Sequence, residues 1–241
     1  MVDPTTRGRR AIDRFREQMP LAKPVDDLIG RTLLGADPAL TATLAANRQA
    51  RLVPHDVAPN QGKLLELLVR GSGATRVLEI GTLGGYSTIW LARGAGPAGR
   101  VITIEQDPRH AAVALDNLRR AGVADLVDVR VGAALSVLPD VLRGSDQKFD
   151  FVFIDADKEN DVSYMQWAIR LSRPGAMILV DNVVRFGGVL DPDAAPEDPG
   201  ARGSRDLLEF LSTAPGIDCT AIQTVGEKGW DGFVLAVVVG D

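Results

Sequence analysis

Cysteine is nearly absent. Cys219 stands alone in 241 residues, so no disulfide can form within the chain, and a reducing, cytoplasmic setting is the expectation. Positive charge is not in excess: Lys and Arg number 27 against 32 Asp and Glu, a formal net charge of -5. That leaves no broad basic footprint for nucleic acid. Long apolar runs are missing too. The longest, around 176–180 and 234–239, are strand-sized and fall short of the roughly 18 residues that a membrane span needs. The stretch from Met1 to Gln18 is rich in Arg and Asp and lacks the apolar core of a signal peptide. His55 and His110 lie far apart, and no His/Cys cluster offers a soft-metal site. There is no internal repeat and no low-complexity segment.

What is present is ordinary globular composition, 45% hydrophobic and 24% charged, in a chain long enough to bury a sizeable core. The length favours one large domain over two. Residues 1–24 are polar and read as a partly ordered arm. Helical spacing follows over 26–34, and Asp37-Pro38 opens a helix running to about Leu52, since Asp caps orphan N–H groups and Pro suits the first helical position. Residues 57–62 read as a turn feeding a third helix, Lys63 to Arg70. Strands then alternate with helices. Strands over 76–80, 100–105, 127–131, 149–155 and 176–181 are interleaved with helices near 86–93, 107–122, 134–143 and 160–171. Continuous apolar strands in that rhythm mean an α/β fold with a parallel sheet covered on both faces. A stretch dense in Pro, Gly and Asp, 183–203, reads as a long loop, followed by a helix over 204–213. Strands near 217–225 and 232–239, with about six residues between them, should pair antiparallel, because that link is too short for a crossover.

The chain is organised around Val77 to Tyr86, where an apolar strand ends in a glycine cluster and a helix begins. Ligands of parallel sheets bind at such carboxyl ends. The dinucleotide fingerprint fails here, because its three glycine positions hold Gly81, Leu83 and Tyr86, and no phosphate loop follows. A plain tight turn remains one reading. Two acids point to another. Glu79, one residue inside the strand end, suits a cationic ligand and repels a pyrophosphate. Glu105 ends the second strand where a carboxylate can accept from two ribose hydroxyls. Glu105 could also cap the next helix, but Asp107 already serves there. A ribose ligand with a cationic remainder fits both acids, and S-adenosylmethionine is such a ligand.

A second constellation lies at Asp155, after the fourth strand, and Asp181-Asn182, after the fifth. Two carboxylates and an amide suit a hard divalent ion such as Mg²⁺. Asp and Asn are equally common as turn and cap residues after a strand. Lys158 could reach the same spot, where a metal and a cationic ligand would lower its pKa toward use as a general base. It also reads as an exposed lysine at a helix start. His110 reads as solvated, and Trp90 and Trp167 as core. Arg185-Phe186 and Trp230 either wall a flat substrate or simply pack.

Together these residues resemble the cation-dependent O-methyltransferases, the group of catechol and caffeoyl-CoA O-methyltransferases. The matching pieces are Val57-Ala-Pro-Asn-Gln-Gly62, Leu78-Glu-Ile-Gly-Thr-Leu-Gly-Gly-Tyr-Ser87, Ile104-Glu-Gln-Asp-Pro108, Phe149-Asp-Phe-Val-Phe-Ile-Asp-Ala-Asp-Lys158 and Leu179-Val-Asp-Asn-Val183. The resemblance implies a Rossmann-like, seven-stranded, mostly parallel sheet with an antiparallel last strand. It implies one methyltransferase domain over 1–241, with an N-terminal helical extension (1–75) and a sheet core (76–241). By position, Val57, Glu79, Gly81, Thr82, Ser87, Glu105 and Ala134 would contact S-adenosylmethionine. Asp155, Asp181 and Asn182 would hold Mg²⁺, with Asp155 also near the methionine part, and Lys158 would be the base. The acceptor would be a small vicinal dihydroxy phenol and the assembly a homodimer, with no nucleic-acid or membrane partner. Two departures bear on the acceptor. Arg185-Phe186 stand where the family often has Trp. In the last hairpin Glu227 is one position displaced from the substrate-gripping Glu of the animal enzymes, with Lys228 in register. The alternatives are a regulatory S-adenosylmethionine binder without catalysis, or a metal-independent methyltransferase acting on a macromolecule.

Overall fold

The computed structural model describes residues 21–144, 148–191 and 198–240. Most of the expected N-terminal arm, and part of the stretch read as a long loop, lie outside the described residues.

Among the described residues three helical segments come first: α1 (Ala22–Ile29), continued by a π turn (Gly30–Leu34), α2 (Pro38–Gln49) and α3 (Pro59–Gly71). The alternating region runs β1 (Arg76–Ile80), α4 (Tyr86–Ala95), β2 (Arg100–Glu105), α5 (Pro108–Arg120), β3 (Val127–Val131), α6 (Ala134–Arg143), β4 (Phe149–Ile154), α7 (Asp161–Leu171) and β5 (Ser172–Asp181). Helix α8 (Pro199–Leu211) and strands β6 (Ile217–Gly226) and β7 (Gly229–Val238) complete the order. The sheet is seven-stranded with strand order β3-β2-β1-β4-β5-β7-β6. Strands β1 to β5 pair in parallel, and β7 lies between β5 and β6, antiparallel to both.

Alternation along the strands builds two cores. On β4, Val152 and Ile154 join Leu138, Met165, Leu171 and Leu207 on one face. Phe151 and Phe153 join Leu65, Val69, Ile89 and Leu118 on the other. Both faces are therefore covered, which is why the strands carry unbroken apolar runs. Among the described residues no helix is long and apolar enough to cross a membrane.

Several boundaries depart from the sequence reading. Helix α3 starts at Pro59, so the stretch read as a turn is its first turn, where the missing N–H of proline costs nothing. Helix α1 starts at Ala22, so 21–24 are not arm. Strand β5 begins at Ser172, with a register shift against β4 that accommodates Pro174-Gly175. The last hairpin continues to the pair Gly226↔Gly229, so its link is two residues rather than about six. Within 183–203, the turns over Arg185–Leu190 are broken by a kink at Phe186 and Gly187, with φ of 54° and 85°, and α8 starts at Pro199 instead of 204. The signal for α8 was visible. Asp198-Pro199 repeats Asp37-Pro38 and Asp107-Pro108, and each Asp side chain accepts from a first-turn N–H, at 3.0, 3.0 and 2.8 Å.

Candidate active site

The parallel register sets the site. Ile80 pairs with Ile104 and Ile154, and Ile154 with Val180. The residues that follow, Gly81, Glu105, Asp155 and Asp181, therefore emerge in one row at the carboxyl edge, on both sides of the β1–β4 switch point. A cavity of about 850 Å³ opens there. Val57, Gly81, Thr82, Ser87, Glu105, Ala134, Asp155, Lys158 and Asn182 line it. Asp181 lines a smaller adjoining cavity of about 230 Å³, which shares Asn182, Lys228 and Asp231 with the first. Glu79 lines neither.

Glu79 is fully buried, and its carboxylate is the hub of a hydroxyl network. Ser87 donates to Oε1 at 2.6 Å, and Thr88 and Thr103 donate to Oε2. Since Thr103 spends its one proton on Glu79, Thr82, 2.6 Å away, must donate to Thr103. Burial pushes the Glu79 carboxyl up to about 7, against the pull of the three hydroxyls. The turn above it is tight. Gly81 sits at φ 101°, and a Cβ there would meet the Asp155 carbonyl oxygen at 2.1 Å. Only glycine lets β1 and β4 close up at this point.

Glu105 accepts from the Leu83 N–H at 2.7 Å and the Asp107 N–H at 2.8 Å. A carboxylate has about four acceptor sites, so two remain for hydroxyls in the cavity. His110, read as solvated, instead lines the cavity, with Nδ1 3.6 Å from Glu105. Its place one turn after the cap Asp107 was the available signal.

The opposite wall carries unbalanced charge. Lys158 is 7% exposed, and its Nζ donates to Asp155 Oδ1 at 3.1 Å. Burial alone would lower the lysine, but Asp155, Asp161 and Asp181 outweigh it and hold its pKa above the ordinary value. The protein by itself thus does the reverse of the lowering expected from the sequence, and Lys158 is buried rather than exposed. Asp181 is pushed up by burial and then by the charge of Asp155. Asp161, which drew no attention as a helix-start acid, is fully buried, and among the described residues neither of its oxygens has a hydrogen-bond partner. Burial pushes it up to about 7. Arg185 and Phe186 line the cavity, whereas Trp230 packs on Gly187 and donates to Gln223. Trp90 is core, as expected. In the last hairpin, the Glu227 N–H donates to Asp26, and Lys228 donates to the Asp56 carbonyl and faces both cavities.

Among the described residues no group of three or more His, Cys, Asp or Glu side chains is disposed to hold a metal. Asp155, Asp181 and Asn182 are a different kind of set, two carboxylates and one amide.

A family model described as O-methyltransferase matches residues 37–227. The chain is 58% identical over 222 residues to a catechol O-methyltransferase of Mycobacterium tuberculosis, covering 92% of this chain and 98% of the relative. An O-methyltransferase from Bacillus cereus, solved in complex with SAH (S-adenosylhomocysteine), is 48% identical with a TM-score of 0.88, covering 91% of this chain and 99% of that one. An O-methyltransferase from Streptomyces achromogenes involved in tomaymycin synthesis, solved with SAM (S-adenosylmethionine), is 46% identical with a TM-score of 0.88, covering 92% and 99%. Matched along most of its length by the family model and nearly end to end by these relatives, the chain belongs to the O-methyltransferase family.

Proposed function

We propose that this protein transfers the methyl group of S-adenosylmethionine to one oxygen of a small vicinal dihydroxy aromatic compound, with a divalent cation, Mg²⁺ by donor chemistry. It would act in the cytoplasm as a homodimer, with 1–241 as one catalytic domain. The observation that carries the reading is the row of strand ends, where Glu105, with acceptor sites left open, and an under-neutralised acid pair, Asp155 and Asp181, lie along one sheet edge across the main cavity and the adjoining one. The relative named as a catechol O-methyltransferase supports the acceptor class, and the SAH- and SAM-bound relatives support the donor.

The residues fit a hard cation. Asp181 is destabilised as an anion by burial and by Asp155, and Asp161 adds unpartnered buried oxygens nearby. Asp155, Asp181 and the Asn182 amide oxygen would hold the ion. When bound, the cation supplies Lewis acidity that lowers the pKa of a phenolic hydroxyl, and S-adenosylmethionine supplies an electrophilic methyl group.

The protein's own groups do the rest. Glu105 orients the donor by accepting from its ribose hydroxyls. Lys158 Nζ holds a proton because three acids surround it. Once their charge is matched, burial pushes Nζ toward the neutral amine, which can take the proton of the acceptor hydroxyl. Arg185 and Phe186 form the outer wall against which a flat acceptor is placed for in-line attack.

The test is a turnover screen of metal-stripped protein with S-adenosylmethionine and paired catechols and monophenols, read by mass spectrometry. Methylation of the catechols, lost in chelator and restored by Mg²⁺, is expected. Full turnover in chelator would remove the cation. Donor binding without transfer to any acceptor would favour a non-catalytic binder.

A further inference from the structure

Residues 182–187 join the candidate cation site to the outer wall of the cavity, and their backbone is unusual. Asn182, Arg185 and Phe186 all have left-handed φ, at 59°, 55° and 54°. Such conformations cost energy in residues other than glycine and persist only where surrounding contacts over-determine them. Several of those contacts come from one side chain on the facing strand. Asp231 of β7 accepts through Oδ1 from the N–H groups of Val184 at 3.0 Å, Arg185 at 3.0 Å and Gly232 at 2.9 Å. Its other oxygen, Oδ2, accepts from Asn182 Nδ2 at 3.3 Å. The backbones are pressed together here: Val183 N–H donates to the Gly232 carbonyl at 3.1 Å, and a Cβ at 232 would meet Val184 Cγ2 at 2.8 Å.

The polar groups of Asn182 can then be counted. Its N–H donates to Asp181 Oδ1 at 2.9 Å, its carbonyl accepts from Ser204 Oγ at 3.2 Å, and its side-chain NH₂ is held by Asp231. The remaining atom is the amide oxygen, on a residue that lines both cavities. We propose that Asp231 is a positioning residue, which pins the amide of Asn182 by its NH₂ so that Oδ1 is turned out as a cation ligand, while the same carboxylate templates the strained loop that carries Arg185 and Phe186. The inference rests on the cation reading above. Ligand orientation by an outer hydrogen-bond partner is a general feature of metal sites. Asp231 does so from a distant part of the chain, so metal affinity is tied to the last hairpin.

The test is Mn²⁺ binding to the metal-stripped full-length protein, followed by electron paramagnetic resonance with no substrate present, and melting temperature alongside. Asp231→Asn keeps one oxygen for the three backbone N–H groups but turns an NH₂ toward the NH₂ of Asn182. The amide of Asn182 then reverses, and the Mn²⁺ dissociation constant should rise about 10- to 100-fold with little change in melting temperature. The double variant N182D/D231N restores a donor facing an acceptor with polarity reversed, and should bind Mn²⁺ within about threefold of the wild type; it carries the test if D231N alone does not fold. Unchanged affinity in D231N would overturn the proposal, as would a double variant about tenfold or more weaker than wild type. A wild-type protein that binds no Mn²⁺ overturns it differently, by removing the cation reading on which it rests.

Discussion

The two walls of the cavity are built on opposite terms. On the donor side every acid is satisfied: Glu79 takes three hydroxyls, and Glu105 takes two backbone N–H groups. On the acceptor side Asp155, Asp161 and Asp181 surround one buried lysine, Asp161 accepts no hydrogen bond among the described residues, and the adjoining loop holds three left-handed residues other than glycine. The buried acid behind the first wall is satisfied without a ligand, and Glu105 keeps acceptor sites for one. The second wall is left short of positive charge. Natural proteins concentrate strain and unpaired charge where function needs them, and the difference is why the proposed chemistry is assigned to the second wall.

Substitutions on the two walls should separate activity from stability. The largest effect is expected at Lys158. Lys158→Ala should cut single-turnover methyl transfer by about two to four orders of magnitude, with donor affinity by calorimetry kept. Comparable turnover would take the proton role away from the acceptor wall. Next is Glu79→Ala, which strands three hydroxyls around a cavity and should cost about 2–5 kcal/mol in denaturant unfolding. Glu79→Gln should cost less, since burial already pushes that carboxyl toward its neutral form. A fully stable Glu79→Ala protein would show that the donor wall is not the rigid half.

The smallest effect has the opposite sign. Asp161 has its folded pKa raised from 3.8 to about 7. The folded state therefore holds more protons than the unfolded state between those values, and stability falls as pH rises through that window. Asp161→Asn should flatten that fall and raise the melting temperature of metal-stripped protein above pH 7, by about 2–4 °C for each kcal/mol of charge burial relieved. Calorimetry across pH reads this directly. An unchanged pH slope would mean that Asp161 is compensated after all.

The donor wall was legible in the residues because its signals are local. A failed dinucleotide spacing and an acid at each of two strand ends fall within thirty residues of sequence. The orientation of Glu79 was not legible, because the hydroxyls that bind it come from α4 and from a neighbouring strand. On the other wall, Asp155, Lys158, Asp181 and Asn182 could be picked out as strand-end residues. The burial of Lys158 among three acids depends on how α7, α8 and β5 pack, and Asp231 acts on Asn182 across 49 positions. Helix α8 was expected over 204–213 and only its start was misplaced: the Pro, Gly and Asp-rich composition outweighed the capping pair Asp198-Pro199.

The claim that the acceptor wall is short of positive charge can be measured without any substrate. Metal-stripped protein would be melted at neutral pH with and without Mg²⁺, beside Asp181→Asn. At about 100 times the dissociation constant, Mg²⁺ should stabilise the wild type by about 2.7 kcal/mol, several degrees in Tm, and leave the variant nearly unmoved. A wild-type Tm indifferent to Mg²⁺, or a variant that responds equally, would contradict it.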